Sequence, residues 1–185
     1  LYINGSFEQE ILGDVLFTAY GVSGFAILDI SQRAVLALSQ FYDVELRINF
    51  FPKTNPNDLA NQIQTLFKNL PKQKAGDTLT GLISNKIAPI LLEICKIDIN
   101  TKADDINTKQ IKSLAHQLNS WRLKVVDTQG FSHAEASGGG VKTSEVDNKT
   151  YESKLIKNLF FAGEVLDIVG NRGGYNLHFA WASGY

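Results

Sequence analysis

The chain has 185 residues, enough for one compact domain or for two small domains built on a shared core. Its 18 basic and 19 acidic side chains leave a net charge of −1, so composition predicts no nucleic-acid partner and no membrane partner. No run approaches the roughly 18–20 apolar residues of a membrane span, and no secretion signal begins the chain, so we expect a cytoplasmic protein. The single cysteine excludes an internal disulfide and multi-cysteine metal sites.

The first 52 residues alternate between strand and helix patterns. A β-rich stretch over 13–18 runs into turn residues at 20–24, and apolar residues at helical spacing then predict a helix that ends near Gln40. Ser23 is the predicted N-cap of this helix, because its hydroxyl could accept from the first free amides. Alternating residues over 44–51 predict a half-buried strand that Pro52 closes.

Residues 57–119 change to helical periodicity, with many Lys, Asn, Gln and Leu residues. We predict a first helix that stops before Pro71, short helices over 79–83 and 86–96, and a last helix over about 108–119. Asp104 and Asp105 suit the N-terminus of the last helix electrostatically. Because β patterns flank this block, we expect a helical insert whose two ends lie close together.

The β pattern returns after the helices. Alternation over 121–127 predicts a strand, and further strands are predicted at 133–136 and 141–145, on either side of the triple glycine at 138–140. The apolar run 159–162 predicts another strand, and a helix is expected to begin at Tyr175.

Glycines and one acidic residue mark the C-terminal region as a candidate site. The apolar run ends at Gly163 and Glu164, and a loop then leads through Gly173 and Gly174 to the helix at Tyr175. In dinucleotide sites, glycines admit close backbone approach, a carboxylate accepts from a polyol and a helix N-terminus offers free amides. An ordinary strand–loop–helix connection explains this spacing equally well.

Three separated blocks resemble one family. The segment LFFAGEVLDIVGNRGGYNLHFAWASG at 159–184 resembles the C-terminal flavin-binding segment of the BaiN-like NAD(P)/FAD-dependent oxidoreductases, also described as aminoacetone-oxidase-like flavoproteins. LFTAYGVSG at 16–24 is similar to the strand–turn–helix signature of that family, and AEASGGGVKTSEVDNKTYESKL at 134–155 resembles its glycine hairpin. The blocks occur in the family's order, on both sides of the helical insert.

The resemblance implies an α+β fold with three parts. A small β-barrel takes 1–52 and 120–156, the helical insert takes 53–119, and 157–185 form a truncated strand–loop–helix of an FAD-binding Rossmann-like domain. No GxGxxG fingerprint occurs, no methionine is present and the first residue is Leu1. We therefore expect a fragment that lacks the family's N-terminal ADP-binding part.

The resemblance also implies a function for the parent protein. That protein would be a bacterial flavoprotein that moves hydride between flavin and either a small-molecule substrate or NAD(P)H, whereas the isolated fragment would carry no FAD. In the family, the residue at the position of Glu164 binds the ribitol of FAD. Gly163, which precedes it, is also a predicted cofactor-binding residue. The family's flavin ring is lined by the positions of Gly173, Gly174, Tyr175, Asn176 and Leu177.

The catalytic residues stay open. His178 and Tyr20 are candidates for acid–base or substrate contacts, although each is also explained as a surface or packing residue. This chain departs from the family pattern at Ala19, Phe25 and His178, which puts side-chain roles at those positions in doubt. His116 and His133 have no partner spacing for a metal, and Cys95 fits a buried small hydrophobe. The rival hypothesis is a non-catalytic lid or partner-docking module of a larger protein.

Overall fold

The computed structural model describes residues 1–185, which divide into two compact units. The first unit comprises residues 1–44 and 125–185, and the second comprises residues 45–124. Six α-helices and six short strands make this a mixed α and β protein, and the strand pairs of the first unit are antiparallel. No helix has both the length and the hydropathy that crossing a lipid bilayer requires.

Two short hairpins begin the first unit. Strands β1 (Tyr2–Ile3) and β2 (Ser6–Phe7) pair across a turn in which Asn4 and Gly5 both have positive φ, at 49° and 79°. Asn-Gly is the dipeptide that a two-residue hairpin turn of this kind favours. Strands β3 (Leu16–Thr18) and β4 (Gly21–Ser23) form the second hairpin.

Helix α1 (Phe25–Ser39) packs one face into the core of the first unit. Its buried residues are Ala26, Ile30, Ala34 and Ala37, and the last three cluster with Leu1 and Val44. The predicted N-cap was wrong by one position. Ser23 pairs with Leu16 in the hairpin, so Gly24 occupies the N-cap at φ 101° with no side-chain cap.

The second unit contains four helices between two neighbouring strands. The elements are β5 (Val44–Ile48), α2 (Pro56–Asn69), α3 (Ala75–Leu79), α4 (Ala88–Ile94), α5 (Thr108–Asn119) and β6 (Trp121–Val125). Helices α2 and α5 pack together and bury their apolar stripes, which include Leu59, Ile63, Phe67, Leu114 and Leu118. Apolar spacing and the helices therefore agree for both long segments, whereas α3 lies four residues before its predicted start.

Side-chain caps fix the starts of the two long helices. The Asn55 carboxamide oxygen accepts from the amides of Asn57 and Asp58, and Pro56 occupies the first turn of α2. Asn107 and Gln110 form a reciprocal capping box at α5. Asp104 and Asp105 precede α5 as expected, and they lie in a separate 3₁₀ turn, Ala103–Asp105.

One side chain joins the beginning and the end of the helical segment. The Asn119 Nδ2 group donates to the carbonyl oxygens of Phe51 and Thr54 at 3.2 and 3.0 Å. The Phe50 amide also donates to the Leu118 carbonyl at 2.9 Å. The chain therefore enters and leaves the helices at adjacent points, while the predicted domain boundaries at 53 and 119 stay predictions.

Three predicted strands are absent from the C-terminal part of the first unit. The 3₁₀ turns Phe131–His133 and Thr143–Glu145 occupy parts of 133–136 and 141–145. Positive φ at Gly139 and Gly140 interrupts any extended run between them. Over 159–162 the chain forms only an isolated bridge between Phe160 and Glu152, because no longer strand lies beside it. The Rossmann-like assignment of 157–185 thus stays a prediction.

Candidate functional site

The triple-glycine loop lies alongside the segment that follows Gly163. The Val141 amide donates to the Val165 carbonyl at 2.8 Å, and the Asp167 amide donates to the Val141 carbonyl at 2.9 Å. These bonds form a parallel bridge between Val141 and Leu166. Gly140 approaches the Val165 carbonyl so closely that a Cβ atom would collide with the oxygen. A glycine at this position is therefore a packing requirement.

Two carboxylates on the segment after Gly163 bind the backbone of the triple-glycine loop. Oε1 of Glu164 accepts from the Ser137 amide at 2.7 Å and from the Ser137 hydroxyl at 3.0 Å. These bonds lower the pKa of Glu164, because they stabilise its ionised form. Oδ1 of Asp167 accepts from the Gly139 amide at 2.9 Å. Glu164 keeps its second oxygen, Oε2, without a hydrogen bond on an exposed side chain.

Gly163 begins a 3₁₀ turn, Gly163–Val165, that is tied to the last helix, α6 (Tyr175–Gly184). Its φ is 70°, and its amide donates to the buried Ser183 hydroxyl at 2.8 Å. The Ser183 hydroxyl in turn donates to the Ala180 carbonyl. This contact fixes the backbone that carries Glu164 against α6.

Helix α6 begins with a bare backbone. Gly173 and Gly174 have φ values of 112° and 88°, and Gly174 occupies the N-cap in a left-handed conformation with no side-chain cap. An added Cβ at Gly174 would meet no atom within 4 Å. The first turn of α6 thus presents amides that no side chain covers, and such a helix end attracts negative charge.

The residues that follow the two glycines have different surroundings. The Asn176 side chain turns back to Gly170, where its Oδ1 accepts from the amide at 2.7 Å and its Nδ2 donates to the carbonyl at 3.0 Å. Asn176 therefore shapes the loop 170–176. Tyr175 and Leu177 are 63% and 72% exposed, so their side chains are available to a ligand.

The two catalytic candidates are both exposed. His178 lies on α6 and Tyr20 in the turn between β3 and β4, and the side chain of neither makes a hydrogen bond or ion pair. Their catalytic roles stay predictions.

Ser137 and Asp167 are site residues that the sequence did not single out. The Ser137–Glu164 bond joins residues 27 positions apart, and the Gly139–Asp167 bond joins residues 28 positions apart. At such separations the spacing in the sequence does not predict a contact. The only available hint was the acidic pair at 164 and 167, on a segment that follows a glycine.

The second unit has a polar cleft of its own, of about 520 Å³. It lies between the end of β5, the start of α2 and the end of α5, and its lining includes Lys53, Asn55, His116, Asn119 and Ser120. Cys95 is buried in the same unit, and burial raises the pKa of its thiol. No group of three or more His, Cys, Asp or Glu side chains is arranged to hold a metal ion.

Comparison with known proteins identifies the family. Residues 1–136 match the HI0933-like protein barrel and H2TH domain, so the chain belongs to the HI0933-like family. The resemblance to BaiN-like flavoproteins that the three sequence blocks indicated is thereby confirmed.

Curated relatives match almost the whole chain. The chain is 34% identical to a 3-dehydro-bile acid delta(4,6)-reductase of Clostridium scindens over 176 residues. This match covers 95% of this chain and 43% of that protein. Ribosomal RNA dihydrouridine synthases of Haemophilus influenzae and Escherichia coli are 33% and 31% identical, over 96% and 98% of this chain and 42% of each relative. The chain thus spans less than half the length of these relatives.

Proposed function

We propose that this chain is part of an FAD-dependent oxidoreductase and supplies the contacts to the ribitol and to one edge of the flavin ring. The carrying observation is the bare start of α6 at Gly173 and Gly174, beside a loop that Glu164 holds in place. Family membership and the names of the relatives support a redox flavoprotein.

The residues fit this part of the cofactor. Glu164 uses only Oε1 within the protein, so Oε2 could accept from a ribitol hydroxyl. Gly173 and Gly174 leave backbone amides uncovered, and the exposed Tyr175 and Leu177 offer apolar surface to a ring. Asn176 would act indirectly, by holding the loop through Gly170.

When bound, FAD would supply the hydride chemistry, with a small substrate or NAD(P)H as the other reactant. The chain's own contribution is positioning and electrostatics. The α6 N-terminus favours negative charge near it, and Glu164 orients a polyol through a charge-assisted bond.

The test is the flavin content of the full-length protein. We expect the purified protein to be yellow, with stoichiometric FAD that NADH or NADPH bleaches under anaerobic conditions. A colourless full-length protein that binds no added FAD would contradict the proposal. It would favour the rival, a non-catalytic lid or docking module.

The distribution of charge supports RNA as a second candidate substrate class, beside the small molecule for which the bile acid reductase relative is named. Residues 45–124 carry twelve Lys and Arg against seven Asp and Glu, a net charge of +5, whereas the first unit carries six against twelve, a net charge of −6. The expectation of no nucleic-acid partner came from the whole-chain charge, which hides this division. Two relatives are named for ribosomal RNA, and a positive unit suits a phosphate backbone.

Helix α5 carries two of these lysines on the same face as a histidine. Lys109, Lys112 and His116 are exposed and spaced at i, i+3 and i+7, so they share one face of the helix. His116 also lines the polar cleft together with Lys53. We call Lys109, Lys112, His116 and Lys53 the α5 basic strip.

Charge reversal on this strip tests the RNA proposal. In the full-length protein, we expect Lys109→Glu with Lys112→Glu to weaken binding of a 20-nucleotide single-stranded RNA at least tenfold. The slope of log affinity against log salt should flatten by about 0.7 for each lost phosphate contact. The matched control reverses Lys68 and Lys72, which are also exposed but lie outside the strip. Equal losses in both pairs, or none in either, would contradict the assignment.

A further inference from the structure

Arg172 contacts two separate segments of the first unit, immediately before the two glycines that open α6. Its amide donates to Oδ1 of Asp29 on α1 at 3.3 Å, and its guanidinium carbon lies 4.0 Å from the ring centroid of Phe25 on the same helix. Its Nη2 lies 3.3 Å from Oε2 of Glu135, just before the triple-glycine loop. One residue thus joins α1, the triple-glycine loop and the start of α6.

The contacts of Arg172 complement those of Glu164. Glu135 lies two residues before Ser137, whose amide and hydroxyl bind Glu164. The two loops are therefore linked twice, once by Arg172 to Glu135 and once by Ser137 to Glu164. The link through Arg172 also attaches to α1, which additionally approaches the triple-glycine loop at Gln32, beside Gly138.

This arrangement is poorly explained as a device for stability alone. Nη1 of Arg172 is buried and has no hydrogen-bond partner, although burying an unpaired guanidinium N–H group is costly. Local costs of this kind are typical of functional sites rather than of packing. A planar guanidinium that both stacks and pairs is also not replaceable by lysine.

We propose that Arg172 is a positioning residue that holds the triple-glycine loop and the Gly173–Gly174 turn on α1, in the form that binds flavin. This inference rests on the proposed function. The amide bond to Asp29 belongs to the main chain, so Arg172→Gln removes only the guanidinium contacts to Glu135 and Phe25. Without these two contacts, both glycine-containing loops would sample other conformations. Apparent flavin affinity would then fall with the fraction of molecules in the binding form.

The test uses the full-length protein stripped of flavin. We expect Arg172→Gln to raise the apparent Kd for FAD about tenfold through slower association, and Arg172→Lys to give an intermediate value. At saturating FAD, the visible spectrum and the kcat for oxidation of NADH or NADPH should match those of the wild type, because FAD then orders the loops. Arg33→Gln is the matched control, since Arg33 is an exposed arginine on α1.

A double-mutant cycle tests the link to Glu135. If the two residues act together, Arg172→Gln with Glu135→Gln should be no worse than Arg172→Gln alone. Additive losses, an unchanged Kd, or a defect in kcat that persists at saturating FAD would each overturn the positioning role.

Hydrogen exchange keeps this inference separable from the proposed function. In flavin-free protein, Arg172→Gln should speed amide exchange in residues 134–141 and 170–174, and Arg33→Gln should not. If the wild type binds no FAD, the proposed function fails. The exchange result then decides by itself whether Arg172 holds the two loops, and unchanged exchange would overturn the inference.

Discussion

Glu164 engages one carboxylate oxygen within the protein and leaves the other without a hydrogen bond. Its Oε1 accepts both donors of Ser137, which leaves Oε2 for an outside group. The resemblance singled out Gly163, Glu164, Gly173 and Gly174, and their role in binding flavin stays a prediction. The partner Ser137 was not predictable, because a contact across 27 residues depends on how the triple-glycine loop folds back.

Removing this carboxylate should loosen the loop and weaken flavin binding together. In the full-length protein, we expect Glu164→Ala to raise the Kd for FAD about tenfold or more, since charge-assisted bonds are the stronger class. Flavin retained after dialysis is the measurement, with the exposed Glu10→Ala as the control. Full retention in Glu164→Ala would remove Glu164 from the site.

The same carboxylate gives the loop a pH dependence. The Ser137 bonds lower the pKa of Glu164, so their stabilising effect is complete above the ordinary Glu range and is lost as pH falls through the lowered pKa. We therefore expect the Ser137 amide to lose hydrogen-exchange protection only in acid, after correction for the intrinsic rate. Glu164→Gln should abolish that acid transition, and a persistent transition would assign it to another group.

Cys95 should be chemically silent in the folded protein. Burial raises the pKa of its thiol, although a 3.5 Å contact from the Ser113 hydroxyl acts in the opposite direction. Because the thiolate is the reactive form, we expect no labelling by a thiol reagent at pH 8 until denaturant is added. Rapid labelling of the native protein would contradict the buried position.

At the scale of elements, the start of α5 depends on a polar device. Asn107 and Gln110 satisfy each other's backbone amides, and α5 supplies much of the core against α2. We expect Asn107→Ala to lower the free energy of unfolding by about 1 kcal/mol, measured by urea denaturation. Lys109→Ala, a neighbouring exposed change, should have little effect; equal losses would exclude a capping contribution.

The long helices were predictable because burial and spacing agree. The predicted span 108–119 is the span of α5, and the predicted stop before Pro71 fits the end of α2. Asp104 and Asp105 lie in the turn before Asn107, and the cap of α5 is formed by Asn107 and Gln110. The Asn4–Gly5 dipeptide is a hairpin signal in the sequence, and the strands β1 and β2 form on either side of it.

The predictions of strands at 133–136, 141–145 and 159–162 were wrong for a different reason. A run such as 159–162 has strand composition, but a strand needs a partner of similar length. Here Phe160 makes one bridge and remains 58% exposed. Local pattern therefore could not establish whether a sheet is present.

At the scale of the molecule, the contacts proposed for FAD cover only the ribitol and one edge of the flavin ring. No GxGxxG turn is present to receive the pyrophosphate, and the relatives are more than twice as long. We expect residues 1–185 alone, mixed with excess FAD and passed over a desalting column, to emerge without a stoichiometric flavin band. A retained band would show that this chain carries most of the affinity.

The side-chain carboxamide of Asn119 has a consequence for how this protein can change over evolutionary time. It holds the chain before α2 and the chain after α5 within hydrogen-bond distance, next to the neighbouring strands β5 and β6. A helical insert whose two ends lie close together can lengthen, shorten or be exchanged without altering the spacing of the strands that flank it. Descendants of one ancestral gene could therefore acquire different helices here while they keep the same strands.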